Sequence, residues 1–260
     1  MAGVSFDAVA DTYDATRRLP GPLMDRATAA LADVLGTDGP ALEVGVGTGR
    51  FAVPLGSKGV RVVGVDIAPR MLAYARAKGC RDLFLASGTR LPFADRAFRA
   101  SMAIHVLHLV SAWREALAEL SRVTRKRFVT LFETITTRSL EGGEGSGVHG
   151  DALAWPMGRY EELARPRGYG YEHPGVRPPD MIARAPPALR VPVGRQRVAL
   201  TAEEILRPVA AKTHSSQWHV PDAVHGEIMA QLRRESAGER FERTWDVEVV
   251  AWAPGDLLRI

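Results

Sequence analysis

Five short apolar runs punctuate the first half of the chain, at 41–44, 60–65, 82–86, 98–104 and 127–132. Each has the length and composition of a buried strand. Between them the apolar positions recur every three or four residues, as on helices. Leu23 to Leu35 is one such stretch, ended by Gly36 and the Asp38-Gly39-Pro40 turn. Another begins at Arg50 and ends near Gly56 or Gly59, and a third is opened by Pro69 at its first turn. In the stretch 111–122, Trp113, Leu117 and Leu120 share a face. At the N-terminus Phe6, Val9, Ala10 and Tyr13 do the same, with Ser5 as a cap, which predicts a helix over 5–18. Strands alternating with helices predict an α/β fold with a parallel sheet.

From Thr134 the alternation stops. Residues 141–150 are glycine-rich and read as a loop. Residues 153–164 read as helical, and 165–187 combine proline, arginine and aromatic side chains. Regular pattern returns with an alternating strand at 189–200, a capping box of Thr201 and Glu204, a helix over 222–234 and a last strand over 243–253. Three regions are therefore expected: a ligand-binding core with an N-terminal lid helix over 1–133, a substrate cap over 134–187, and a completion of the sheet over 188–260.

Composition narrows this little. The 260 residues are 46% hydrophobic, enough for a full core. The formal charge of +4 is scattered and mostly arginine, so no nucleic-acid partner is indicated. Cys80 stands alone, which excludes an internal disulfide and a cysteine-rich zinc site. His105 and His108 lie three apart with no carboxylate at matching spacing, so no metal is expected. The N-terminus has no basic region followed by an apolar one, and no apolar run approaches the ~18 residues of a membrane span, so a soluble cytoplasmic protein is expected.

Chemistry concentrates at Ala-Leu-Glu-Val-Gly-Val-Gly-Thr-Gly-Arg, residues 41–50. A strand passes into a helix through Gly45, Gly47 and Gly49. Glycine backbone takes positive φ and approaches a ligand closely, and the next helix points free N–H groups at it. The dinucleotide pattern Gly-x-Gly-x-x-Gly fits poorly. Counted from Gly45 its last position is Arg50; counted from Gly47 it is Ala52, a tolerated replacement. Glu43 stands two residues before the first glycine, where its charge repels a pyrophosphate and attracts a cation.

Acid-x-Gly-x-Gly-x-Gly resembles motif I of the class I S-adenosylmethionine-dependent methyltransferases, whose cofactor carries a sulfonium and an ammonium. Leu91-Pro92-Phe93 after the third strand, and the C-terminal Thr-x-Glu-Glu and Ser-Ser-x-Trp-x-Val-Pro-Asp segments, are similar to a small-molecule, type 11-like bacterial branch of that family. The resemblance implies a Rossmann-like, doubly wound seven-stranded sheet of order 3-2-1-4-5-7-6, with the last strand antiparallel. It implies that S-adenosylmethionine is bound, S-adenosylhomocysteine released, and no metal required.

It also assigns residues. Tyr13 and Arg17 match a lid that closes over the cofactor, although Tyr13 also reads as the half-buried anchor of an amphipathic helix. Asp66, at the second strand end, would accept from both ribose hydroxyls, as it would for any adenosine ligand. Ile67 would pack on the adenine. Met71 would touch the ring or sit in the core. Ser87 stands where the family has aspartate and accepts without charge assistance, with the Gly88 and Thr89 N–H groups beside it. Phe98-Arg99 stands where Phe-Asp is usual. Ile104 and His105 would lie under the methyl group, His105 as a general base or a pocket wall. His108 reads as structural. The expected activity is methyl transfer to a small-molecule acceptor by in-line displacement. An NAD(P)-dependent oxidoreductase and a non-catalytic cofactor-binding module are the rivals. An RNA acceptor is disfavoured because Ile104-His105-Val106-Leu107 replaces the Asn-Pro-Pro-Tyr motif.

Overall fold

The computed structural model describes residues 6, 7, 10, 11, 13–16, 19–141 and 155–260. Ser5, Val9, Arg17, the loop at 142–150 and the start of the expected 153–164 helix lie outside the described residues.

Seven strands form one sheet of order β3-β2-β1-β4-β5-β7-β6, as expected. They are β1 (Ala41–Val44), β2 (Val62–Asp66), β3 (Leu83–Leu85), β4 (Phe98–Met102), β5 (Thr124–Ser139), β6 (Leu189–Thr201) and β7 (Arg240–Trp252). β1 pairs in parallel with β2 and β4, and β4 with β5. All four residues of β1 are buried, because helices cover both faces of a parallel sheet. Thr137 with Arg243, Arg138 with Glu242 and Leu140 with Arg240 bond in descending register, so β7 runs antiparallel to β5.

The helices are α1 (Tyr13–Thr16), α2 (Gly21–Leu35), α3 (Ala52–Ser57), α4 (Pro69–Ala77), α5 (Trp113–Val123), α6 (Met157–Ala164), α7 (Pro178–Arg184), α8 (Ala202–Ala210) and α9 (Asp222–Glu235). Pro69 opens α4, and the Thr201–Glu204 capping box closes reciprocally at the start of α8.

Two elements differ from their sequence expectation. The helix expected over 5–18 is reduced, among the described residues, to α1. Asp11, Asp14 and Thr16 are weak helix formers, and the aspartates are engaged by tertiary partners instead. β5 does not end at Glu133 but continues to Ser139, since Thr134, Ile135, Thr136 and Thr137 are β-branched and extend the ladder, the first two exposed and Thr137 buried.

The chain gathers into two compact units. The first comprises 1–132, 173–194 and 247–260, and the second 133–172 and 195–246. The segment 134–187, read from sequence as one insertion, is thus divided between them. The first unit's core packs Leu42, Val44, Val65, Phe128 and Trp252 against α5 through Leu117 and Leu120. The second unit has its own core, where Tyr160 and Leu163 of α6 meet Ile205 and Val209 of α8, Ile228 and Leu232 of α9, and Phe241 of β7.

Candidate functional site

In the first unit, β1 and β2 end side by side, and the chain after β1 turns back over that end. Gly45 and Val46 both donate backbone N–H groups to Val65 O, at 2.8 and 3.0 Å. Gly45 and Gly47 take φ of +72° and +55°, a region nearly closed to other residues. A Cβ on Gly45 would meet Val106, whereas the nearest heavy atom to one on Gly47 lies 4.0 Å away. The first glycine is required by packing. The second lines open space, where backbone and ligand can approach. Gly49 follows, against Cys80 and Val53.

Asp66 joins the loop to the next helix. Its Oδ2 accepts from Gly47 N at 2.8 Å and its Oδ1 from Ala68 N at 2.9 Å. Burial raises its pKa, and these backbone donors pull the other way. Each oxygen keeps a lone pair, so accepting from ribose hydroxyls is compatible with this geometry. Beside it Ile67 is 41% exposed, an apolar surface suited to a flat ring.

Glu43 lies beneath the loop, 2% exposed. Its Oε2 is buried and accepts no hydrogen bond. Burial pushes its pKa up to about 8; Arg50 opposes this and Asp66 adds to it. A buried carboxylate oxygen without a partner is rare and costly. A cation arriving above the loop would compensate it. The chemistry of these groups therefore fits S-adenosylmethionine: a positive ligand end over Glu43, ribose hydroxyls at Asp66 and adenine along Ile67.

The remaining expected residues fall around this centre. Ser87, Gly88 and Thr89 form a turn after β3 with Ser87 exposed, in which Ser87 Oγ accepts from Thr89 N at 3.2 Å and lies 2.8 Å from Thr89 Oγ1. Ile104 is buried just past β4, and His105 is exposed with φ +57°. Met71 is 2% exposed and packs with Ala10, Ala68, Phe6 and Tyr13, as the core reading of this residue has it. Its position in the first turn of α4 turns it inward. His108 sits edge-on to His173 with ring centres 4.8 Å apart, in keeping with its structural reading.

Sequence reasoning missed how the N-terminal segment is fastened. Thr48 of the glycine loop donates to Asp14 Oδ1 at 2.6 Å. Arg70 donates from its backbone N to Asp7 and from its guanidinium to Asp11. The Tyr-x-x-x-Lys spacing of one oxidoreductase proton relay, expected from sequence to be absent, is present in Tyr74 of α4 and Lys78 at its C-cap. Their polar ends bond Asp11 and Asp14, so both serve to hold this segment. Asp14 and Thr48 stand 34 residues apart, and no local spacing signals such a pair.

Among the described residues no group of three or more His, Cys, Asp or Glu could hold a metal ion, and no helix is long and apolar enough to cross a membrane.

Residues 42–130 match the family model for a methyltransferase domain. The chain is 33% identical over 141 residues to the malonyl-[acyl-carrier protein] O-methyltransferase of Serratia marcescens, covering 53% of each chain. It is 37% identical over 129 residues to the demethylmenaquinone methyltransferase of Beutenbergia cavernae, covering 48% of this chain and 53% of that one. The chain spans about half the length of the curated relatives it matches. In fold it is similar to the YcgJ protein from Bacillus subtilis, with a TM-score of 0.50 at 16% identity over 88% of this chain and 97% of that one. Family match, sheet order and the acid-glycine loop together make residues 42–130 a methyltransferase domain of the class I S-adenosylmethionine-dependent type.

Proposed function

We propose that this chain transfers the methyl group of S-adenosylmethionine to a small-molecule acceptor by in-line displacement. The observation that carries the reading is Glu43, a buried carboxylate with an unpartnered oxygen under a loop held open by Gly47. A sulfonium or ammonium there would draw the Glu43 carboxyl into its ionised form and pair with it, whereas a pyrophosphate would gain no such partner.

When bound, the cofactor supplies a methyl group on a positively charged sulfur, which is already a good leaving group. The chain's work is to bind and align. Asp66 holds the ribose end and, through Gly47 N and Ala68 N, fixes the loop that carries it. Ile67 and the 87–89 turn flank the adenine, with the Gly88 N–H as the donor left to the ring, since the Thr89 N–H is taken by Ser87 Oγ. Tyr13 closes over the cofactor from the N-terminal segment, a role the family resemblance also assigns to Arg17. Ile104 walls the reacting end. His105, exposed at the β4 end, takes a proton from the acceptor or shapes its pocket. Alignment along the sulfur–methyl axis supplies roughly 7–11 kcal/mol of the barrier, and a base adds about 10²–10⁴-fold. The named activities of the two relatives, on malonyl-[acyl-carrier protein] and demethylmenaquinone, support an acceptor other than nucleic acid.

Calorimetric titration with S-adenosylhomocysteine, with NAD⁺ and NADP⁺ as controls, tests this in wild type and Asp66→Ala. Micromolar binding of the thioether that is lost in the variant supports the reading. A dinucleotide isotherm without a thioether one overturns it in favour of the oxidoreductase.

A further inference from the structure

The second unit contains a cation that no described carboxylate neutralises. Arg243 lies on β7 between Phe241 and Trp245, which share its face of the strand because alternate residues do. Its Nη2 donates to Trp155 O at 3.1 Å and its Nε to Thr137 Oγ1, on neighbouring β5, at 3.4 Å. The guanidinium carbon lies 5.9 Å from the Trp245 ring centre. Trp155 itself stacks on Phe241 with ring centres 4.3 Å apart.

Among the described residues Arg243 makes no ion pair. The nearest carboxylates along β7, Glu242 and Asp246, point to the other face and are taken by Arg138 and Arg195. Burial lowers the Arg243 pKa to about 10, and no described carboxylate acts against that shift. The guanidinium offers five donors in a fork suited to planar and tetrahedral anions, and two are used here, both on neutral acceptors. Thr137 is buried, and while its oxygen accepts from Arg243 its own proton remains to be donated onward. A fold that wanted only stability would have replaced such a cation by an apolar side chain.

We propose that Arg243 and Thr137 form an anion-binding site within the second unit, which takes the carboxylate or phosphate group of an organic ligand. The aromatic walls formed by Trp245 and by the Trp155–Phe241 stack favour a ligand with an apolar body. The site stands whether or not the first unit transfers methyl groups.

The full chain would be titrated calorimetrically with benzoate and with phenyl phosphate, and with inorganic phosphate as the bare anion. The expected result is saturable binding of at least one aromatic probe with a Kd of about 1 mM or tighter. The tighter of the two identifies the group recognised. Arg243→Gln should weaken that binding at least tenfold, with an unchanged or raised Tm and unchanged S-adenosylhomocysteine affinity. No saturation with any probe, or full affinity in Arg243→Gln, overturns the proposal. If Arg243→Gln does not fold, Thr137→Val decides. A severalfold loss supports the site, and undiminished affinity overturns it.

Discussion

A Cβ placed on Gly45 would lie 2.6 Å from a methyl of Val106, although the two residues are 61 positions apart in the sequence. The loop after β1 is thus pressed against the chain that leaves β4. Gly45→Ala must bear both left-handed backbone and that overlap, a loss of about 2–4 kcal/mol. Gly47→Ala has the same backbone strain but open space, so about 1–2 kcal/mol is expected, with cofactor affinity hit harder than stability. Urea denaturation of both variants reads the difference. Equal losses would mean that the Val106 contact does not constrain the loop.

Glu43 gives a pH dependence whose sign is fixed. Its carboxyl titrates near 4.5 when free and near 8 in the fold. Between those values the folded chain holds a proton that the unfolded chain has lost, so Glu43 makes stability fall as pH rises through that window. Glu43→Gln should flatten this slope and be the more stable protein at pH 8. A cation above the loop favours the ionised form, so S-adenosylmethionine binding at pH 7 should expel a proton. Heats measured in buffers of different ionisation enthalpy should then diverge for wild type and coincide for Glu43→Gln. Wild-type heats that do not depend on the buffer would refute the coupling.

His105 has the positive φ of a residue held against its own preference. Replacing it with glycine should raise stability by roughly 0.5–1 kcal/mol, the strain relieved less the entropy of glycine. If the ring is a general base, kcat should fall by about 10²-fold or more. His105→Asn tolerates the same backbone and should lose turnover with stability unchanged. Full turnover in both variants would leave His105 only a wall of the acceptor pocket.

The bond between Thr48 and Asp14 couples the glycine loop to the N-terminal segment. Thr48→Val and Asp14→Ala should each free that segment by about 1–2 kcal/mol, and the double variant should lose little more. Amide exchange at Tyr13 and Asp14 measures this directly. Additive losses would mean that the two residues act independently.

The first unit could be read from sequence because its signals are local. The Glu43–Gly49 run carries its own strand, turn and helix start, and parallel order follows from alternation. Asp66 was visible as a strand-end acid. Its two backbone bonds were not, since only the folded loop brings Gly47 N to it. Met71 could be read as core or ligand contact, and the inward turn of α4 accords with the core reading. The end of β5 was misplaced because threonines look polar to a hydropathy pattern while their branched Cβ favours a strand. Arg243 gave no signal at all. One arginine in an alternating strand is ordinary until its neighbours are known.

The lines dividing the two units fall at 132/133, 172/173, 194/195 and 246/247. Three of them cut β5, β6 and β7 in mid-strand. A gene exchange that swapped the second unit for another would need four crossovers at once, three of them inside hydrogen-bonded ladders. Such a unit does not travel as a cassette. Changes in what it recognises should therefore arise by point substitution in place, and lineages of this fold should differ there residue by residue before they differ by whole segments.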